Sequence, residues 1–139
     1  MDQFRSGMIL NTTVISQPTY LPWVGYFDLI DQSDCVVFLD SVQFEKRGWQ
    51  QRNRLKGSDR ILWLTVPVKT KGRRDQKIMD VEIDQNQSYT DKHLSTITHY
   101  YRKALFFDDY IAGITRILAE SHRQLADLNL ELFGWLCEC

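Results

Sequence analysis

The first forty residues combine two short apolar segments with one segment of helical periodicity. Thr13 to Ser16 is rich in β-branched residues and ends at a Gln-Pro pair, which predicts a buried strand followed by a turn. Pro22 suits the first turn of a helix, and the large side chains that follow predict that this helix runs to about Asp31: Trp23, Tyr26, Phe27 and Ile30. Residues 35–39 form a continuous apolar run, typical of a parallel strand covered on both faces. Together these segments predict a compact, right-handed βαβ unit.

The middle of the chain contains two strand-like segments with a turn between them. Residues 50–55 and 61–68 flank the turn-forming sequence of residues 56–59, which predicts an antiparallel hairpin. Pro67 places the end of the second strand at a sheet edge. Residues 70–76 are polar and charged, so we expect a mobile loop there. Apolar residues at 78, 81 and 83 predict one further short strand.

From Ser88 onwards, apolar residues recur at spacings of three and four, which predicts amphipathic helices. One stripe consists of Leu94, Ile97, Tyr101 and Leu105. A second stripe consists of Ile111, Ile114, Leu118, Leu125, Leu128, Leu132 and Trp135. The spacing fits a C-terminal helix pair, or one long helix bent near Ser121.

The last apolar stripe reaches residue 139 without a capping residue or a closing turn. Its final large side chains have no later element to cover them: Leu125, Leu128, Leu132, Trp135 and Leu136. Exposed apolar patches are costly and mark interfaces. We therefore expect a C-terminally truncated domain, or a homodimer joined through the last helix.

Composition is that of an ordinary globular protein and excludes several functional classes. Hydrophobic residues make up 43% of the chain, and no apolar run approaches the roughly 18 residues that span a bilayer. We therefore expect one soluble, cytoplasmic domain over residues 1–139. Three cysteines do not form a disulfide framework, and Cys35 is expected to be a buried, reduced thiol. His93 and His99 lie nearly opposite on a helix, so we predict surface or capping histidines and no metal site.

The net charge of −1 hides a strong division along the chain. Residues 46–77 carry a net charge of +9, and the remainder carries −10. Such a field attracts an anionic ligand while the molecule stays near neutral. The alternative is a solvated loop region balanced by acidic neighbours in the fold.

The turn after the first predicted strand has residues suited to ligand binding. It lies at the carboxyl end of that strand and at the start of the first helix, where open α/β sheets bind ligands and free N–H groups attract anions. We predict donors at Gln17, Thr19 and Tyr20, and stacking faces at Trp23 and Tyr26. The alternative is an aromatic turn packed as core.

A second candidate segment, residues 40–54, follows the second predicted strand and so lies at the same sheet edge. Arg52 and Arg54 share one face of a strand, and guanidinium groups hold a phosphate or carboxylate through two parallel hydrogen bonds. The remaining polar side chains are predicted to complete the site. The binding residues are Gln43, Gln50 and Asn53, and the catalytic base is Asp40 or Glu45. The alternative is a cross-strand salt-bridge network.

Four segments together carry a resemblance to a known family: residues 16–27, 38–44, 49–54 and 62–68. In content, order and spacing they resemble the WbqC-like family, over nearly the whole chain. Family members are associated with bacterial surface-polysaccharide or O-antigen loci, and they usually run on past residue 139, which implies a C-terminally shortened domain. Many of them have histidine where this chain has Ser16.

A weaker similarity concerns the fold alone. The first strand, turn and helix are similar to the start of pantothenate-synthetase-like nucleotidyltransferases, with Trp23 and Tyr26 where those enzymes have histidines. The fold class predicted is α/β: a short parallel βαβ, Rossmann-like start, an antiparallel hairpin insertion, and a C-terminal amphipathic helix pair. Likeness of fold is no warrant for function.

The resemblance and the residues together predict a protein of surface-polysaccharide or nucleotide-sugar modification. Its ligand would be an anionic nucleotide, nucleotide sugar or other phosphate-bearing metabolite, and its activity that of a transferase. The alternative is a non-catalytic accessory protein that binds a nucleotide or sugar phosphate, since the motifs hold no nucleophile, metal triad or histidine. RNA binding by the +9 segment, with Trp49 and Trp63 as stacking platforms, is the least favoured class. The sequence identifies no cofactor.

Overall fold

A computed structural model describes residues 12–139 and begins with a βαβ unit. The strands β1 (Thr13–Ser16) and β2 (Cys35–Phe38) form a parallel pair, and the helix α1 (Val24–Asp31) connects them. This confirms the predicted parallel βαβ arrangement. The prediction of a buried Cys35 thiol on a strand covered on both faces is wrong. Cys35 and Val37 are exposed, because nothing within residues 12–139 covers the sheet face that carries them.

An antiparallel hairpin follows, as predicted. It pairs β3 (Arg52–Lys56) with β4 (Ile61–Thr65), with Arg54 opposite Trp63. Leucines alternate onto its inner face, whereas Arg52, Arg54 and Trp63 share the outer one. The hairpin therefore presents cations and an aromatic ring on the side away from the core.

The predicted strand after residue 77 is instead a short 3-10 helix, Ile78–Asp80, followed by isolated bridges. Ile78 and Val81 are three residues apart, so one 3-10 turn brings both onto the same side. Both are fully buried in the core. This burial, rather than pairing in a sheet, fixes the segment.

The C-terminal half contains three helices rather than the predicted pair. They are α2 (Thr90–Tyr101), α3 (Phe107–Ala119) and α4 (Leu125–Glu138). The break between α3 and α4 lies where a bend near Ser121 was predicted. The break between α2 and α3 was missed because the stripe continues through it: Leu105 keeps the helical spacing but lies in the connection and is 87% exposed.

The helix α4 packs on the core of its own chain. Leu125, Leu128 and Leu132 are fully buried there, and Trp135 and Leu136 are half-buried. The expectation that this stripe lies uncovered is therefore wrong, whereas the homodimer through the last helix stays a prediction. None of the helices in the described part of the chain is long and apolar enough to cross a membrane.

Phe133 of α4 joins the C-terminal helices to the βαβ unit. Its ring stacks on Phe27 at 5.8 Å and meets the edges of Tyr26 at 6.0 Å and Phe38 at 4.9 Å between ring centroids. Offset and edge-on aromatic pairs stabilise by about 0.5–1.5 kcal/mol beyond burial of their area. This cluster sets α1, and hence the turn before it, against the rest of the fold.

Candidate functional site

A cleft of about 560 Å³ separates the turn before α1 from the segment that leads into β3. We call it the aromatic cleft. Its lining residues are Ser16, Thr19, Pro22, Trp23, Tyr26, Trp49, Asn53 and Arg54. Five of them are predicted site residues: Thr19, Trp23, Tyr26, Asn53 and Arg54. The structure thus brings together the two segments that the sequence singled out.

Three lining residues were not among those predicted to bind an anionic metabolite: Ser16, Pro22 and Trp49. Trp49 was expected to stack only in the RNA-binding alternative. Trp49 had a signal in the sequence, because it directly precedes the Gln- and Arg-rich segment. Trp23 and Trp49 are 66% and 47% exposed, so both rings are accessible to a ligand. Tyr26 is buried, and its hydroxyl donates to the backbone carbonyl of Gln17 at 3.2 Å.

Arg54 is held beside the cleft by aromatic rings. Its Cζ lies 5.3 Å from the centroid of Trp49 and 5.9 Å from that of Trp63, and the two indoles stack at 5.8 Å. Such cation–π contacts contribute about 0.5–1 kcal/mol each at exposed sites. Because the ring faces carry no formal charge, the charge of Arg54 remains available to an anion.

Arg52 packs on the same pair of stacked indoles, next to Trp63. Its Cζ is 4.2 Å from the Trp63 centroid, and it does not line the cleft. Among residues 12–139, neither Arg52 nor Arg54 forms an ion pair with a carboxylate. The alternative of a cross-strand salt-bridge network is therefore wrong for this pair, which packs on indoles instead.

Three of the predicted binding residues act as braces between the two segments. Gln50 is buried, and its Nε2 donates to Gln17 Oε1 at 2.5 Å. Asn53 Nδ2 donates to the carbonyls of Tyr20 at 3.1 Å and Leu21 at 2.6 Å. These amides therefore link the two segments that form the walls of the cleft.

The backbone conformation of Leu21 explains why the hydrogen bonds from Asn53 are needed. Leu21 has φ +47°, in the left-handed region that costs a residue with a Cβ about 1–2 kcal/mol. Both hydrogen bonds from Asn53 end on carbonyls at this bend. Asn53 therefore holds the turn in the conformation that places Pro22 and Trp23 on the cleft wall.

A third amide, Asn129 of α4, was missed by the sequence analysis. It is 1% exposed and donates to the carbonyls of Pro18 at 3.3 Å and Gln50 at 2.8 Å. The sequence did contain a sign of this role, because Asn129 lies one helical turn after Leu125 and interrupts an otherwise apolar stripe. Asn129 thus attaches both cleft segments to the helical core.

Tyr20 and His93 form a buried pair beneath the turn. Both are almost fully buried, and the Tyr20 hydroxyl lies 2.8 Å from His93 Nδ1. Burial lowers the pKa of His93 to about 4 and raises the pKa of Tyr20, so the hydrogen bond joins a neutral hydroxyl to a neutral imidazole. Tyr20 therefore serves the core rather than presenting its hydroxyl to a ligand, and the expectation of a surface or capping histidine is wrong for His93. Its signal was a position four residues before Ile97, on the buried face of α2.

The predicted bases lie outside the cleft lining. Asp40 accepts a hydrogen bond from the backbone of Met79 through its carbonyl, and Glu45 is exposed. Gln43, predicted to bind ligand, pairs with Lys77 and donates weakly to Asp75 at 3.4 Å. After β2 the chain therefore turns toward residues 75–79, and it returns to the cleft only at Trp49.

Part of the basic segment is neutralised within the fold. Glu82 accepts from Lys69 at 2.8 Å and Arg73 at 3.1 Å, and Arg123 lies 3.8 Å away. The hydrogen bonds from Lys69 and Arg73 lower the pKa of Glu82 to about 2. In this loop the positive charges are therefore balanced by an acidic neighbour, Glu82. Arg54 has no such neighbour among the described residues.

One cluster has metal-ligand residue types: Glu120, His122 and Glu131. Arg116 donates to Glu120 at 2.8 Å and to Glu131 at 3.1 Å, and His122 Nε2 lies 2.7 Å from Glu131. An arginine thus already supplies the positive charge between these carboxylates. The cluster ties the end of α3 to α4.

Comparison with known proteins gives a family but no solved fold. A model of the WbqC-like protein family matches residues 17–139. The uncharacterized protein Rv1507c of Mycobacterium tuberculosis is 37% identical over 129 residues, which are 92% of this chain and 55% of the relative. The chain therefore spans about half the length of that relative. No solved structure matches significantly.

Proposed function

This chain belongs to the WbqC-like protein family, and from that premise we propose that it binds an anionic, ring-bearing metabolite in the aromatic cleft. The ligand class is a nucleotide, a nucleotide sugar or a related phosphate ester. The setting that the family association suggests is bacterial surface-polysaccharide or nucleotide-sugar modification.

The observation that carries the proposal is the position of Arg54 between the cleft and the indoles. A phosphate at its guanidinium forms charge-assisted hydrogen bonds worth about 1.5–3 kcal/mol. A base or sugar ring then lies against Trp23 or Trp49, and base–aromatic stacking contributes about 1–3 kcal/mol. The cleft therefore offers a cation and open ring faces within one cavity of about 560 Å³.

The proposal has two forms, a transferase and a non-catalytic accessory protein, and they differ in whether the protein needs a catalytic base. A transferase would use Asp40 or Glu45 as its base, and both residues lie outside the cleft lining. A non-catalytic accessory protein needs neither, and one observation favours it: among the described residues, the cleft lining holds no carboxylate, cysteine or histidine. We therefore place ligand binding first and group transfer second.

The test is calorimetric titration with UDP-glucose, UMP, glucose 1-phosphate and inorganic phosphate. Arg54→Gln should weaken binding of the nucleotides by about tenfold to a hundredfold, since it removes a charge-assisted contact. The matched control is Arg60→Gln, which removes the same charge from an exposed position at the hairpin turn. Arg52→Gln should have a smaller effect than Arg54→Gln.

Equal losses in the Arg54 and Arg60 variants would show a non-specific charge effect and would refute the site. Preference for a single-stranded RNA oligonucleotide over every nucleotide tested would favour the RNA-binding class instead. For turnover, wild type and Asp40→Asn are compared by product analysis with UDP-glucose. Consumption by the wild type alone supports the transferase form, and binding without consumption supports the accessory form.

A further inference from the structure

An apolar groove of about 430 Å³ adjoins the aromatic cleft. It runs between the edge of the hairpin and the helices α2 and α3. Pro22, Asn53 and Arg54 line both cavities, so the groove opens at the residues that bound the cleft. A ligand held at Arg54 thus has direct access to it.

The groove keeps unusually large apolar side chains open to solvent. On its rim, Leu105 is 87% exposed, Phe106 is 59% exposed and Tyr110 is 39% exposed. Its inner wall includes Leu64, which is buried, and Ile97 of α2. Contiguous exposed apolar surface of this kind marks a binding site more often than a free surface.

The groove contains a single charged residue, and it lies at one end. Of the lining residues, Arg54 alone carries a charge at neutral pH. Its guanidinium lies on the cleft side, since it sits over Trp49, which lines the cleft and not the groove. The complementary molecule is therefore apolar along its length and anionic at the end that meets Arg54.

We propose that the ligand bound by Arg54 carries a single hydrocarbon chain and that this chain lies in the groove. The inference rests on the proposed function and narrows its ligand class to acyl- or alkyl-bearing phosphate esters. The ring-bearing part occupies the aromatic cleft, the phosphate meets Arg54, and the chain runs past Leu55 toward Phe106. The ligand is taken up as a single molecule from solution.

The test uses ethyl, butyl, hexyl and octyl phosphate, each below its micellar concentration, with UMP as the chain-free ligand. Affinity should rise by up to about fourfold for each methylene that is buried, until the groove is filled. Phe106→Asp should abolish this rise and leave UMP affinity unchanged. Phe106 is exposed and precedes α3, where aspartate is a good capping residue, so the variant should fold. If Phe106→Asp does not fold, Leu105→Asp is tested in its place. The matched control is Leu29→Asp, at an exposed position on α1.

Four outcomes would overturn the inference. Affinity independent of chain length, while UMP still binds through Arg54, refutes the hydrocarbon chain and leaves the proposed function intact. A rise that persists in Phe106→Asp shows non-specific association. Binding to phosphatidylglycerol vesicles without binding of monomeric octyl phosphate shows a membrane surface as partner. If neither UMP nor any alkyl phosphate binds, the proposed function fails as well.

Discussion

Replacing Asn53 with alanine should destabilise the fold and loosen the cleft at the same time. Asn53 lies on β3, yet its side chain donates to two carbonyls that are more than thirty positions away in sequence, those of Tyr20 and Leu21. These bonds hold the one bend in this turn with a left-handed non-glycine residue. Without the amide, the turn loses the contact that fixes it against the hairpin.

The magnitude follows from the lost bonds and from the carbonyls they leave unpaired. Each hydrogen bond contributes about 1 kcal/mol net, and an acceptor left unsatisfied and partly buried adds to that loss. Two bonds therefore give a decrease of about 2–3 kcal/mol in the free energy of unfolding. Against a typical total of about 5–15 kcal/mol this is a large fraction. Asn53→Asp should be at least as harmful, because a carboxylate cannot donate and would face two carbonyl oxygens.

Urea unfolding followed by tryptophan fluorescence measures this effect. With a slope of about 2 kcal/mol per molar urea, the midpoint should fall by about 1–1.5 M. The matched control is Asn86→Ala, an exposed asparagine bonded only to nearby Asp84, which should change stability by less than about 0.5 kcal/mol. A shift in Asn53→Ala no larger than that in Asn86→Ala would show that the brace is not what holds the turn.

Two further predictions concern the helical core. Because burial lowers the pKa of His93 to about 4 from 6.5, the unfolded chain binds the extra proton first as pH falls. The free energy of unfolding should therefore drop by up to about 3 kcal/mol between about pH 6.5 and pH 4, as measured by urea titrations. This part of the pH dependence should vanish in His93→Gln, and an identical slope in that variant would refute the assignment. Gly113→Ala should lower the melting temperature, because a Cβ there would overlap the indole of Trp135, and overpacking costs about 1–3 kcal/mol. Gly134→Ala, on open helix surface, should instead stabilise by about 0.5–1 kcal/mol, and equal effects of the two substitutions would argue against close packing of α3 on α4.

The elements that were predicted correctly have local signals. The βαβ unit follows from two apolar segments and one helical period within 30 residues, and the hairpin follows from its turn sequence. The break before α3 has no such signal, since Leu105 continues the apolar stripe although it lies in a loop. Likewise, the coverage of α4 depends on distant residues such as Val66 and Ile117, which the helix sequence alone does not reveal.

The site residues likewise divide into those that the local sequence reveals and those whose role depends on distant contacts. Aromatic residues and an arginine beside a strand end are recognisable types, and Trp23, Tyr26 and Arg54 do line one cleft. The amides are ambiguous, because the same side chain that would contact a ligand can brace a backbone carbonyl. Which role Gln17, Gln50 and Asn53 take depends on pairings across the fold. The direction of the chain after Asp40 is likewise set by its pairing with residues 75–79.

Placement of the ligand in the aromatic cleft is tested most directly by the indole N–H signals in a two-dimensional ¹H–¹⁵N NMR titration with UMP. The chain has four tryptophans, each giving one such signal, and single Trp→Phe variants assign them. Trp23 and Trp49 line the cleft, Trp63 lies behind its lining residues Trp49 and Arg54, and Trp135 packs on α3. Saturable shifts that are largest for Trp23 and Trp49, smaller for Trp63, absent for Trp135 and lost in Arg54→Gln are the predicted result. Shifts confined to Trp135, or no shift of any indole while UMP binds by calorimetry, would contradict binding in the cleft.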